Sequence, residues 1–382
     1  MSVGIICEYN PFHNGHLYHI NKVKELFKDE PIILVLSGNF TQRGDLSIIE
    51  KYDKTYLSLY YGIDLVVELP YNFATQSSDY FAKGSIEILN KLKCNYLIFG
   101  SESNDIELLN NLANIQIKNK EYDIIVKDEL DNGENYPTAM SKALSKITNK
   151  TIKEPNDLLA LSYIKEIKKN NYNIIPISIK RTNDFNSLEL SNNITSARSI
   201  REALKNNKDI NDYVPEETLN KIIKINYKKY LNLLKYKIIS ENDLSIYNSV
   251  LEGIDNKLKK EIFNSNTMDE LINNIKSKRY TYNKLNRMLT HILCSYTKEE
   301  NKVNTDIKYI RVLGFSTKGR NYLNKIKKEI DIPIITNINK NNIDLLKIEL
   351  RVDSIYNLIT EKNDNLYNKK PIIKGSSKSS GE

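Results

Sequence analysis

The chain has 382 residues, 40% hydrophobic and 27% charged, with a formal charge of +8. That balance supplies apolar material for at least two cores and excludes whole-chain disorder, collagen and coiled coil. No run approaches the ~18 apolar residues of a membrane span, the start lacks the basic region of a signal peptide, and the three distant cysteines Cys7, Cys94 and Cys294 exclude a disulfide framework or a cysteine-built zinc site, so a cytoplasmic protein is expected.

Over the first half of the chain, short β-branched runs alternate with amphipathic stretches, the pattern of a parallel sheet wound with helices. Strands are predicted at residues 3–6, 32–36, 65–68, 96–99 and 174–179. The near-continuous apolar runs "PIILVL" and "DLVVEL" suit strands buried on both faces. Helices are predicted between them at 16–27, 52–61, 79–92, 106–112, 138–145 and 156–168. Beyond Thr195 the apolar spacing turns helical, with helices at 196–205 and 215–234 and several more to about Tyr296. A strand at 309–315, a helix at 320–330, a strand at 333–337 and a helix at 343–359 follow. The fold class predicted is therefore α/β: a Rossmann-like domain with a parallel sheet over residues 1–205, a helical, basic region over 206–305, a small α/β appendage over 306–370, and a disordered tail over 371–382, whose end "KGSSKSSGE" has no apolar content.

The charge is divided unequally. Residues 1–220 hold 25 Lys and Arg against 30 Asp and Glu, or −5, whereas residues 221–382 hold 31 against 18, or +13. A basic second part suits a polyanion, since each neutralised phosphate releases counterions; a solvated lysine-rich surface is the plainer alternative. Its clusters are Lys228-Lys229, Lys257-Lys259-Lys260, Lys276-Lys278-Arg279 and Lys325-Lys327-Lys328, interleaved with Tyr227, Tyr230, Tyr280 and Tyr282, which suit stacking on unpaired bases.

The chemistry is concentrated after the first strand, in "CEYNPFHNGHLYHI". Three of the four histidines, His13, His16 and His19, fall in this segment, and His13-Asn14-Gly15-His16 forms an H-x-G-H at the opening of a helix. A helix N-terminus offers amide donors and partial positive charge to phosphate, a glycine permits close approach, and two imidazoles add directional donors, so a nucleoside triphosphate is expected there. A zinc site would need further ligands, which Glu8 alone supplies weakly.

An H-x-G-H at this junction resembles the nucleotidyltransferase superfamily that includes class I aminoacyl-tRNA synthetases and small adenylyltransferases. The superfamily's second motif, typically I-S-S-T-x-I-R, has its likeness in "NITSARSIR", with Arg198 where a small hydroxyl residue is usual. Further segments, "VLSGNFTQRGDLSIIEKYDK", "GIDLVVELPYNFATQSSDYFAKGSIEIL", "FGSES", "EPNDLLALSYIKEI" and "IKRTNDFNS", resemble the bacterial tRNA(Met) cytidine acetate ligase family, most specifically over residues 1–205. The resemblance implies a Rossmann-like nucleotidyltransferase domain in an enzyme that makes acetyl-adenylate from acetate and ATP. It then transfers the acetyl group to N4 of the wobble cytidine of elongator tRNA(Met), giving N4-acetylcytidine. Magnesium would accompany the ATP; no protein metal ligands, no membrane and no protein partner are implied.

By the same resemblance, the ATP loop comprises Ile6, Cys7, Glu8, Tyr9, Asn10, Pro11, Phe12, His13, Asn14, Gly15, His16, Leu17, Tyr18 and His19, with His13 and His16 as the catalytic pair. Gly100, Asn156, Arg181 and Thr182 match further ATP contacts, and Ser196 and Arg201 the second motif. Asn156 could equally be a helix N-cap. Two more segments are expected to shape the site: Ser37 to Asp45, with Gly38, Arg43 and Gly44, as a mobile lid or tRNA contact, and Tyr71, Phe73, Gln76 and Ser77 as an acetate pocket. A small-molecule adenylyltransferase of the same superfamily, or a non-catalytic RNA-binding protein, remains open as an alternative.

Overall fold

The computed structural model describes residues 1–150, 152–181, 195–251, 253–277 and 280–375. Its first part alternates as the sequence pattern requires: β1 (Val3–Cys7), α1 (Asn14–Leu26), β2 (Ile32–Ser37), α2 (Lys51–Tyr60), β3 (Leu65–Leu69), α3 (Tyr71–Ala74), α4 (Ser78–Lys91) and β4 (Tyr96–Ser101). Four helices then precede the next strand: α5 (Ile106–Lys118), α6 (Lys120–Asp131), α7 (Tyr136–Thr148) and α8 (Pro155–Lys169), followed by β5 (Ile175–Lys180). The helical module comprises α9 (Ala197–Lys205), α10 (Glu216–Leu219), α11 (Tyr227–Ser240), α12 (Ile254–Glu261), α13 (Met268–Ile275), α14 (Tyr282–Leu293) and α15 (Lys298–Val303). The described residues end with β6 (Ile310–Phe315), α16 (Thr317–Ile326), β7 (Ile334–Ile335), α17 (Lys347–Thr360) and β8 (Ile372–Ile373), the last a strand paired with β6 where the tail was expected to be disordered. The single helix predicted over 215–234 is two, α10 and α11, separated by residues 220–226.

One sheet runs through the molecule in the order β5-β4-β1-β2-β3-β6-β7, with β8 also on β6. Strands β1 to β5 are parallel to their neighbours, while β6 lies antiparallel to β3, pairing Leu65 with Phe315. Winding runs outward from β1 to β2 and β3, then returns to β4 on the other side of β1. The topological switch therefore falls between β1 and β4, and the crevice at their carboxyl ends is where an open α/β sheet accepts a ligand.

Alternation along each strand sends side chains to two cores. One face buries Val3, Ile5, Ile32, Leu34 and Leu36 against α1, α2, α17 and the helical module; the other buries Ile33, Val35, Val67, Leu97 and Phe99 against α4, α5, α7 and α8. Each such side chain removed from water contributes about 1.5–3 kcal/mol.

The strands expected in an appendage extend this same sheet, and a buried charge cluster fastens them to it. Lys51 of α2 bonds Glu68 of β3 at 2.7 Å and also Asp353 of α17. Arg311 of β6 lies 3.1 Å from Glu68 and 3.8 Å from Asp353, and all four side chains are buried. Two cations and two carboxylates balance, with Asn39 Nδ2 donating to Asp353 at 3.0 Å. Residues more than three hundred positions apart in sequence, such as Asn39 and Asp353, thereby share one desolvated network.

Candidate active site

The turn between β1 and α1 is anchored by its aromatics. Tyr9, in the left-handed region at φ +49°, and Phe12 are buried, with ring centroids 4.9 Å apart, and Phe12 stacks on Tyr61 at 5.1 Å. Asn10 Oδ1 accepts from the Ile48 amide at 2.9 Å. Tyr9, Asn10 and Phe12 of the expected ATP loop thus hold the turn in place, leaving its partly exposed members, Asn14 to His19, at the crevice.

His13 is the N-cap of α1. Its Nδ1 accepts from the Gly15 amide at 3.0 Å, while the His13 amide donates to His16 Nδ1 at 3.3 Å, and the two rings stack at 3.7 Å. A ring nitrogen that accepts from an amide carries no proton, so each neutral imidazole holds its proton on Nε2. Burial, with Arg181 and Arg201 nearby, pushes the His13 pKa down to about 3. Burial, then His13 and Arg181, lowers His16 well below its ordinary value, and burial with Arg181 brings His19 to about 4. The pair therefore offers uncharged N–H donors at neutral pH.

The structure departs from expectation at the helix start. The amides expected to remain open for phosphate are engaged: Asn14 N donates to Tyr213 O at 3.0 Å, Gly15 N to His13, and His16 N to the His13 carbonyl at 2.8 Å. Asn14 Nδ2 also donates to Asp212 O at 2.9 Å. The segment after α9 closes this helix end, so donors for an anion must come from side chains.

Two arginines lie near the turn. Arg201 of α9 donates to the Asn10 carbonyl at 2.6 Å and lies 3.9 Å from Asp45. Ser196 caps α9, its Oγ accepting from Ser199 N at 3.1 Å. Arg181 follows β5, its amide donating to Ser101 O at 3.0 Å and its Nε 3.7 Å from Glu102. Gly100 lets this side chain come close to β4, since a Cβ there would lie 3.2 Å from Arg181 Cγ. Asn156 is not the cap of α8, which is Glu154; its Nδ2 donates to Glu102 Oε1 at 2.5 Å. Asp157 pins the loop after β4 through Ser101 Oγ at 2.5 Å and the Glu102 and Ser103 amides at 3.0 and 2.9 Å. Gly100, Asn156 and Arg181 thus meet around Glu102, across the switch point from the histidine turn. Thr182 lies outside the described residues.

Under the turn sits Lys54, fully buried, whose Nζ donates to the carbonyls of Glu8, Ser37 and Gly38 at 3.0, 2.8 and 2.6 Å. Burial pulls its pKa down to about 8. It ties the carboxyl ends of β1 and β2 together, and a lysine on the apolar side of the "KYDKTYLSLY" helix was the signal for it. Glu8 Oε1 accepts from Gln42 N at 2.6 Å, and burial raises its pKa.

The expected lid is instead docked. Gly44, at φ +84°, packs so closely on α14 that a Cβ would lie 2.7 Å from Arg287 N. Thr290 Oγ1 donates to Gly44 O at 2.7 Å, and Asn286 Nδ2 to Arg43 O and Asp45 Oδ1 at 3.0 and 2.7 Å. The acetate pocket expected from residues 71–77 is likewise packed: Tyr71 OH lies 3.1 Å from His291 Nδ1, Phe73 is 1% exposed, and Gln76 donates to Asn301 at 2.9 Å. Of the four tyrosines expected to stack on bases, Tyr230 is core, its hydroxyl 3.3 Å from Thr290. Lys278 and Arg279 lie outside the described residues. Among the described residues, no group of three or more His, Cys, Asp or Glu converges as a metal site, and no helix is long and apolar enough to cross a membrane.

A model of the HIGH Nucleotidyl Transferase family matches residues 1–370. A tRNA(Met) cytidine acetate ligase from a Geobacillus strain is 38% identical over 356 residues, covering 88% of this chain and 89% of that protein. The tRNA(Met) cytidine acetate ligase of Clostridium perfringens is 39% identical over 383 residues, 93% of this chain and 94% of its own. The apo crystal structure of Thermotoga maritima TmcAL superposes with a TM-score of 0.89 at 27% identity, and the structure bound with alpha-thio ATP with 0.86 at 28%, each covering 98% of this chain and 99% of that one.

Proposed function

The chain belongs to the HIGH nucleotidyl transferase family and, within it, to the tRNA(Met) cytidine acetate ligases, and on that footing we propose that it activates acetate with ATP and acetylates N4 of the wobble cytidine of elongator tRNA(Met) in the cytoplasm. The observation that carries the site assignment is the stacked pair His13 and His16, both locked with Nδ1 inward and both neutral, opposite Arg181 and Arg201 at the switch point.

In the first step an acetate oxygen attacks the α-phosphorus of ATP in line, the bond to the β-phosphate oxygen breaks, and pyrophosphate leaves. The Nε2–H groups of His13 and His16 donate to the phosphates, and Arg201 and Arg181 balance the charge gathering on the leaving pyrophosphate. Such donors act on charge as it develops, in a site whose walls are already ordered. Gly100, Asn156 and Arg181, gathered on Glu102, take the adenosine side of the nucleotide. Magnesium would ride on the triphosphate oxygens and draws no ligand from this chain in the proposal.

In the second step the N4 amine attacks the acetyl carbonyl carbon, the carbonyl–phosphate ester bond breaks, AMP departs, and the amine loses one proton. Uncharged histidines suit both steps, since a cationic pair would hold the pyrophosphate back as it leaves.

The test is acetate-dependent exchange of labelled pyrophosphate into ATP without RNA. His16→Ala should lower the exchange rate by about 10²–10³, the cost of a lost charge-stabilising donor. Exchange at the wild-type rate in that variant would remove His16 from the adenylation site.

A further inference from the structure

Two sets of side-chain links join the surroundings of the histidine turn to α14. Arg201, bonded to the histidine turn at Asn10 O, lies 3.9 Å from Asp45, and Asp45 accepts from Asn286 of α14 at 2.7 Å. On the other flank, Asp269 of α13 accepts from Tyr282 OH at 2.7 Å and from Lys205 of α9 at 3.3 Å. Helices α9, α13 and α14 and the loop after β2 therefore meet around one rim.

That rim is aromatic and cationic. Tyr227 is 55% exposed and Tyr282 37% exposed, while Lys284 Nζ sits 4.9 Å above the Tyr280 ring. Burial of its hydroxyl, then Asp45 and Asp269, raises the Tyr227 pKa against the opposing charge of Arg201, which places the hydroxyl beside these three on the same rim. Arg287 reaches the Gln42 carbonyl at 3.4 Å. Among the described residues neither Lys284 nor Arg287 has a carboxylate within 4.0 Å. Burial, then the nearby Arg43, disfavours the charge on Arg287, and burial, then Arg287, disfavours that on Lys284. Lys284 and Arg287, two like charges side by side without a carboxylate, are a strain in the free protein that a bound phosphate relieves.

We propose that Tyr227, Tyr280, Tyr282, Lys284 and Arg287 form the surface that receives the single-stranded loop of the RNA substrate, seating the bases and phosphates that flank the target cytidine at the mouth of the adenylation site. The assignment rests on the acetate-ligase reading and names where its second substrate lies. A cytidine whose N4 is to be acylated must present its pairing edge, so it arrives unpaired, with neighbours free to stack. Exposed tyrosines offer a stacking face to any base, and unpaired cations beside them take the backbone. A protein partner would find little apolar area here to bury against so many charges.

The test uses Lys284→Ala and Tyr227→Ala in the full chain, with three readouts: acetate-dependent pyrophosphate exchange without RNA, KM for tRNA in acetyl transfer, and affinity for an RNA hairpin with an unpaired cytidine in its loop across a salt series. Exchange should stay within about two-fold of wild type in both variants, because neither side chain touches the histidine turn. Lys284→Ala should weaken hairpin binding about ten-fold and lower the slope of log K against log salt by about 0.7–0.9, one phosphate contact. Tyr227→Ala should weaken binding by a similar factor with the slope unchanged, as loss of a stacked base would. Unchanged hairpin affinity and KM in both variants would overturn the assignment, as would exchange falling in step with transfer or a blunt duplex binding as well as the hairpin. If the wild-type protein binds the hairpin as described yet shows no exchange, the ligase reading fails and the RNA surface stands.

Discussion

Mild acidification should destabilise this fold through histidines it holds neutral. His291 is fully buried, with Nδ1 3.1 Å from Tyr71 OH and Nε2 without a hydrogen-bond partner; burial, then Arg287, pushes its pKa from 6.5 down to about 3. His13, also buried, is held at about 3. In the unfolded chain both titrate near 6.5, so between these values the unfolded state binds a proton that the folded state refuses. Stability is therefore full above about pH 6.5 and falls as the pH drops toward 3. At pH 5, about 1.5 units below the unfolded pKa, each histidine costs about 2 kcal/mol, at 1.36 kcal/mol per unit. Together they remove about 4 kcal/mol from a total of order 5–15 kcal/mol. Glu8, Glu50 and Glu349 act oppositely, because burial raises their pKa values and the folded state takes up their protons first. The His291→Gln variant separates the signs: its amide still accepts from Tyr71, but it does not titrate. Urea unfolding at pH 7.5 and pH 5 should show the wild type losing about 2 kcal/mol more than the variant. Equal losses would refute the claim that burial keeps His291 neutral.

Two further outcomes follow from the packing. Asp353→Ala leaves Lys51 and Arg311 to share Glu68 in a desolvated site, and should cost about 3–5 kcal/mol in urea unfolding; a loss under about 1 kcal/mol would show that water reaches the cluster. Gly44→Ala places a Cβ at φ +84° and 2.7 Å from Arg287 N, so it should cost about 1–3 kcal/mol in thermal unfolding and lower acetyl transfer by detaching the loop from α14. An unchanged melting temperature would mean that the loop does not dock on α14 in solution.

The first five strands were legible because each is a short apolar run, and in β2 and β3, buried on both faces, "PIILVL" and "DLVVEL" carry no competing helical pattern. Helix α6, "KEYDIIVKDELD", went unseen since only Tyr122, Val126 and Glu129 of it are buried, too thin a stripe to read. The break at 220–226 was hidden by "KIIKI", which keeps an apolar spacing through a non-helical stretch. The place of β6 was not legible at all, since its pairing of Phe315 with Leu65 is set by contacts far apart in sequence. At the candidate site the H-x-G-H stood out because a turn and a helix start are local chemistry. The docking of Gly44 on Arg287, the packing of Tyr71 on His291, and the closure of the α1 amides by Tyr213 depend on partners roughly two hundred residues away, and no local pattern announces them.

The most direct test of the account is incubation of the purified chain with ATP, magnesium, labelled acetate and total tRNA, followed by nucleoside analysis of the RNA. Label should appear in N4-acetylcytidine at the wobble position of elongator tRNA(Met), dependent on ATP and lost in His16→Ala. Adenylate transferred to a small molecule, with no label in RNA, would contradict it.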